Sequence, residues 1–213
     1  MALLIVLSGL IISIAMGLRQ SLGLFMSPMT LDLGISAATF GFAIALQNIV
    51  YGVAQPFVGA LADRHGPRPV LVGTALIYAG GLALMAFAKS FPGALEVAGF
   101  LTGVGTAGTA FGVLIGTISR ATPPEKRSQT VGIVAAAGSL GTLVLAPLGQ
   151  RLIDAFGWQA AMLAFAAIAG AMVLLSLPIR EASAWEGGSS RKQNLAEALR
   201  EATGHRGYVF MTL

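Results

Sequence analysis

Apolar blocks of about twenty residues, separated by short polar breaks, run along almost the whole chain, and a block of that length is what a helix needs to cross a hydrocarbon core. Six blocks are expected to span: Ala2–Met26, Ala37–Ala62, Val70–Ala88, Ala94–Ile118, Thr130–Leu152 and Trp158–Leu177. Backbone amides in lipid must be satisfied within the segment, so such blocks cross as helices. The strict alternation of a transmembrane barrel is absent from the sequence. The expected class is therefore an all-α membrane protein, with residues 1–178 as a six-helix domain. A seventh apolar run opens at Gly207 and stops at Leu213, so 207–213 is expected to be the truncated start of a further span and the sequence a fragment. The first block begins almost at Met1, without the basic region of a signal peptide.

The polar breaks carry the orientation. Loops 2–3, 4–5 and 6–7 hold Arg64, Arg68, Arg120, Lys126, Arg127, Arg180, Arg191, Lys192, Arg200 and Arg206, whereas the other side has only Lys89 and Arg151. The positive-inside rule then places these loops and the N-terminus in the cytoplasm, with the chain multi-pass in the cell membrane. Trp158 and Phe156 are expected as interfacial aromatics at the outer end of span 6. The long loop 179–206 contains a flexible polar link, WEGGSSRKQ. Beyond it NLAEALREA reads as a short amphipathic helix capped by Asn194, with Leu195, Ala198, Leu199 and Ala202 on one face. A weak repeat also shows. Pro56 is followed by Leu61, Asp63 and Gly66, and Pro147 by Leu152, Asp154 and Gly157 at the same offsets, on opposite sides of the membrane. Inverted three-span repeats are common in transporters.

Composition removes several classes. The chain is 55% hydrophobic and 10% charged, with mean hydropathy +0.80 and pI near 10.0. The basic residues are scattered between apolar runs rather than gathered on one face, which argues against nucleic acid as a partner. There is no cysteine, which excludes disulfides and thiolate sites. The only histidines, His65 and His205, lie in loops, and no nucleophile constellation or phosphate loop is present, so an enzyme is not expected.

The densest charge sits in GALADRHGPRP, residues 59–69. Gly66 supports a tight turn, Pro67 and Pro69 stiffen it, and Pro69 suits the start of span 3. Asp63 lies near the C-terminal end of span 2, where the helix dipole disfavours an anion. Arg64 and Arg68 can supply some compensation and the N-terminus of another helix more. This stretch resembles the loop 2–3 signature of the major facilitator superfamily, matched at Gly59, Leu61, Ala62, Asp63, Arg64, Gly66 and Arg68, with Pro67 departing from the frequent basic residue. The resemblance covers the whole chain and implies the N-terminal half of a twelve-helix transporter, built of two inverted three-helix repeats. It also implies that Asp63 and its loop belong to a cytoplasmic gate, with the main partner of Asp63 in a missing C-terminal six-helix half.

Substrate-binding candidates follow from polar residues in oily spans. Arg19 lies inside span 1, where an arginine costs about 2.5–3.5 kcal/mol on insertion scales. It must face a wet cavity or a partner, and an anion-binding role is expected; snorkelling, or pairing with Glu96, is the structural alternative. Gln47, Asn48, Tyr51 and Gln55 form a helical stripe on span 2, as cavity wall or as inter-helix packing, and Thr102 and Thr106 stand on span 4. Gly108, Gly112 and Gly116 read as a packing ridge, Ser139 and Thr142 as packing candidates, and spans 3 and 6 as the most lipid-facing. Within the superfamily, GLRQSLGLFMSPM (residues 17–29) is similar to the first span of the monocarboxylate and oxalate–formate branch, with Leu22 where Phe is common. Span 4 has Gly99 and Thr102 where drug antiporters have arginine and glutamine, and span 5 has Ala146 before Pro147 where theirs has glycine. The resemblance thus implies a secondary transporter of a small organic anion, with no cofactor and a proton or counter-anion gradient as driving force. A drug or cation antiporter, and a non-transporting receptor or scaffold, are the alternatives.

Overall fold

The computed structural model describes residues 2–89 and 93–179. Every regular element among them is helical. α1 (Ala2–Ser21) passes through a turn of 3-10 helix (Leu22–Phe25) into α2 (Met26–Leu33), and together they make span 1. α3 (Ala37–His65) is span 2; Ser36 caps it, its hydroxyl accepting from the Thr39 amide at 3.0 Å. α4 (Pro67–Ala86) is span 3. Span 4 is divided into α5 (Ala94–Thr109) and α6 (Phe111–Ala121) by Ala110, whose backbone turns extended (φ −87, ψ −148). No sequence signal announced that break.

α7 (Pro124–Ser176) holds 53 residues. A straight helix of that size would be roughly 80 Å long, against a hydrocarbon core of about 30 Å. Gly157 resolves the mismatch, because its φ of 81° and ψ of 166° are non-helical. The chain turns back there, so that a Cβ on Gly149 would lie 2.7 Å from the Phe165 ring. α7 therefore supplies span 5 (124–156) and span 6 (158–176), and all six expected spans are present. The expected boundaries differ most in span 1, which continues to Leu33 rather than ending at Met26.

Glycines set the packing. A Cβ on Gly141 would fall 1.8 Å from the Ser13 carbonyl oxygen, and one on Gly17 would fall 2.5 Å from the Gly141 carbonyl oxygen, so spans 1 and 5 touch backbone to backbone. Spans 2 and 4 do the same, with Gly99 against the Ala43 carbonyl (2.5 Å) and Gly103 against that of Gln47 (2.7 Å). Lipid gives helices no hydrophobic reason to associate, so close approach and its dispersion contacts must hold the pairs. A repeat that maps spans 1–3 onto 4–6 turns the 1–5 pair into the 4–2 pair, as observed. Its bends also match: Gly66 has φ 84°, ψ 159°, and Gly157 has φ 81°, ψ 166°. That region is almost closed to residues with a Cβ. Gly66→Ala and Gly157→Ala should each cost about 1–3 kcal/mol, whereas Gly132→Ala, in open space and ordinary helix, should not. Thermal unfolding in detergent reads the difference, and equal melting temperatures for all three would count against the assigned conformations.

Two sequence expectations need correction. Spans 3 and 6 are not apolar alike on all sides: α4 buries Thr74, Tyr78, Leu82 and Met85 and exposes Leu76, span 6 buries Trp158, Met162, Phe165 and Met172 and exposes Leu174, and α4 packs on α7. The ridge on span 4 is not continuous either, since Gly108 meets Thr74 while Gly112 meets nothing within 4 Å. The loop beyond residue 179, its amphipathic helix and the run from Gly207 lie outside the described residues.

Candidate functional site

Span 1 runs 32 residues from Ala2 to Leu33, and Arg19 falls just past its midpoint. It is half-buried, and its surroundings explain how the helix tolerates it. Its Nη2 donates to Asn48 Oδ1 of span 2. Its guanidinium carbon stands 4.8 Å from the centre of the Tyr51 ring. A cation over a tyrosine face gains about 1–2 kcal/mol where water is scarce, which offsets part of the insertion cost. Asn48 is itself fixed, because its Nδ2 donates to the Ile44 carbonyl at 2.7 Å. Arg19 Nε is buried and has no hydrogen-bond partner among the described residues. Two neighbours thus orient the guanidinium without neutralising it. What remains is a unit positive charge in a low-dielectric wall with a donor to spare, the chemistry of an anion site.

The other candidates divide. Gln55, one turn beyond Tyr51 on the same stripe, is half-buried. Gln47 is turned inward, 1% exposed, against span 4, and its Nε2 has no partner among the described residues. Thr102 and Thr106 stand differently from the span 2 stripe. Both are fully buried in the packing of span 4, and their hydroxyls donate within their own helix, Thr102 to the Ala98 carbonyl (2.8 Å) and Thr106 to that of Thr102 (2.6 Å). Glu96 makes no ion pair with Arg19 among the described residues.

Sequence reasoning missed Tyr78. It is fully buried in span 3, and its hydroxyl donates 3.3 Å to the Ala15 carbonyl, one turn before Arg19. A lone tyrosine in an oily span gives no sign of which way it faces; its nearest clue was Gly105, whose absent side chain makes room for it.

At the end of the bundle that carries Arg64 and Arg68, Asp63 pairs with Arg120 of α6 at 2.7 Å. The partner found is therefore neither Arg64 nor Arg68, both exposed. Arg120 sits in the last turn of its helix, where a cation is favoured, and its side chain can reach back over Gly116 to Asp63. Gly59 is open to solvent or a neighbour on this face, with nothing within 4 Å of its Cβ position.

At the other end Asp32 gathers Lys89, Trp158 and Gln159 on one oxygen. Trp158, expected as an interfacial anchor, is instead 5% exposed and tied to that carboxylate; Phe156, beside it, is 72% exposed.

Comparison with known proteins sharpens the picture. The family model of the Major Facilitator Superfamily matches residues 4–212. Monocarboxylate transporter 11 of Mus musculus is 34% identical over 152 residues, covering 71% of this chain and 34% of that protein. The oxalate:formate antiporter of Oxalobacter formigenes is 31% identical over 172 residues, covering 80% and 40%. The chain thus spans well under half the length of these curated relatives. In fold it is similar to the inward-open xylose transporter XylE from E. coli, with a TM-score of 0.66 and 16% identity over 98% of this chain and 53% of that one.

Proposed function

The chain belongs to the Major Facilitator Superfamily, and on that premise we propose that it is one six-span half of a secondary transporter that moves a small organic anion of the monocarboxylate type by alternating access. The observation that carries the reading is Arg19 at mid-span, oriented by Asn48 and Tyr51 and left with an unpartnered Nε. Relatives named for monocarboxylate, oxalate and formate transport support the substrate class. Their greater length supports a second half completing the cavity. A cationic substrate fits poorly, because Arg19 would repel it.

In this mechanism a carboxylate approaches the part of the Arg19 guanidinium left open, since the Tyr51 ring covers one face, Asn48 occupies Nη2 and Nε is buried. Gln55, further along the same stripe of span 2, extends the polar wall away from Arg19. Asp63, Arg64, Gly66 and Arg68 belong to the gate at the cytoplasmic end. The Asp63–Arg120 pair joins the ends of spans 2 and 4 there. That pair is worth about 0–1 kcal/mol where exposed, weak enough to be remade as the two halves rock. The excess of basic residues at this end over Lys89 and Arg151 at the other supports a cytoplasmic N-terminus.

The test is uptake of labelled formate, lactate and benzoate by the native gene product in proteoliposomes, beside a labelled lipophilic cation. Uptake of at least one acid and not of the cation is expected, and cation uptake without acid uptake would overturn the reading. Asn48→Asp sharpens it. A carboxylate at that position gives Arg19 a built-in counter-ion that competes with substrate, so half-saturation should rise at least about tenfold. An unchanged value would remove Arg19 from the binding site.

A further inference from the structure

Asp32 stands where three spans meet. Its Oδ2 accepts from Lys89 Nζ at 3.0 Å, from Trp158 Nε1 at 3.0 Å and from Gln159 Nε2 at 3.3 Å. One oxygen thus fastens the end of span 1 to the end of span 3 and the start of span 6. Below it, α2 is seated by apolar contacts. Met29 of α2 is fully buried, as is Phe25, the last residue of the 3-10 turn that leads into it, which meets the Phe165 ring of span 6 edge-on at 5.3 Å between centroids.

α1 is held as firmly on its other side, where Gly17 and Gly141 press span 1 against span 5. Between the two anchored pieces lies the 3-10 turn, Leu22–Phe25. A 3-10 turn winds about 120° per residue and an α-helix about 100°, with rises of about 2.0 and 1.5 Å. Over four residues the difference is roughly 80° and 2 Å. The 3-10 turn is the shape that lets both anchors be satisfied at once, and Arg19 lies at its entry, three residues before Leu22. Ser21, between them, donates its hydroxyl to the Gly17 carbonyl at 2.7 Å and closes the last α turn.

Resting on the anion-site reading above, we infer that Asp32 is a positioning residue for Arg19. By pinning α2 it fixes the winding of Leu22–Phe25, and through that winding the direction in which the guanidinium meets Asn48, Tyr51 and the substrate. When Asp32 lets go, the winding of Leu22–Phe25 is no longer set from the α2 side, and the last turn of α1, beyond the Gly17–Gly141 contact, shifts Arg19 against span 2. The same linkage runs in reverse: an anion that holds Arg19 in place tightens the grip of Asp32 on Trp158.

The experiment uses the native gene product in proteoliposomes with labelled lactate, formate or benzoate, whichever the wild type transports. Asp32→Ala should raise the half-saturating concentration about tenfold, within the range usual for coupled sites, while the maximal rate stays within about twofold. Asp32→Asn, which keeps an acceptor for the two neutral donors and loses the charge for Lys89, should fall between. Asp32→Glu should restore most of the affinity. Should the alanine variant fail to fold, the asparagine variant carries the same test. Trp158 gives an independent signal once Trp185 and every other tryptophan of the native gene product are replaced by Phe. Its fluorescence should change on adding the acid, with the half-saturation seen in uptake, and should not change in Arg19→Ala. A lowered melting temperature with unchanged half-saturation in both Asp32→Ala and Asp32→Asn would make Asp32 a purely structural tie and overturn the inference alone. A wild type that takes up none of the three acids would overturn the transport reading, and this inference with it.

Discussion

Arg19→Ala should abolish uptake of a labelled monocarboxylate, lowering the ratio of maximal rate to half-saturation by about 100-fold or more, while the protein keeps or gains thermal stability. The two effects have one cause. The guanidinium is held by Asn48 and Tyr51 but not neutralised, and its Nε is buried without a partner. In the empty protein this is an expense, since a charged side chain at mid-membrane costs about 2.5–3.5 kcal/mol on insertion scales. In the loaded protein it is the charge that the substrate meets, and removing one partner of such a desolvated pair costs about 2–5 kcal/mol of binding. Truncation should therefore relieve the fold and ruin the site. Arg19→Lys keeps the charge but not the planar fork, and should restore only part of the uptake. Parallel loss of uptake and melting temperature in Arg19→Ala would instead make Arg19 a structural residue.

The largest effect on folding should come from Gly141→Ala. The added Cβ would lie 1.8 Å from the Ser13 carbonyl oxygen and 2.4 Å from its carbon, so only a separation of spans 1 and 5 can admit it. Overpacking a well-filled core commonly costs about 1–3 kcal/mol and sometimes more; a clash with backbone that no rotamer can relieve belongs at or above the upper end. Gly112→Ala is the matched control, with nothing within 4 Å, and helix propensity alone favours alanine there by about 1 kcal/mol. Unfolding in detergent should separate the two variants widely. Indistinguishable melting temperatures would mean that spans 1 and 5 do not touch at Gly141.

Much of this fold was legible because a membrane helix advertises itself by length and hydropathy, and the bends by glycine between charged or aromatic residues. Gly157 could be read from AFGWQ as surely as Gly66 from RHGPR. The sidedness of the spans was harder. Lipid and protein interior are equally apolar, so nothing in span 3 said that Tyr78 faces inward or that Leu76, 57% exposed, does not. The candidate site was legible where a residue was out of place: an arginine among aliphatics identifies itself, and the Asn48 and Tyr51 it meets stand at helical spacing on span 2. Thr102 and Thr106 looked like equal candidates, yet a threonine in a helix can satisfy its hydroxyl on the preceding turn, and both do. The tie from Asp63 to Arg120 spans 57 positions and six helix ends, and no local pattern encodes it.

The matching bends at Gly66 and Gly157 bear on how such a chain is oriented when it is made. Three crossings is an odd number, so a tandem copy of a three-span unit necessarily enters the bilayer upside down, and its backbone instructions are the same from either face. The backbone alone cannot tell the translocation machinery which way is up. That information sits in what flanks the shared glycine. Arg64, His65, Pro67 and Arg68 surround one copy; Ala155, Phe156, Trp158 and Gln159 hold the same places around the other. On the orientation proposed above, a basic bend resists being drawn across, and one without basic residues offers no such resistance. One geometry, written twice, is thereby given two addresses by four substitutions.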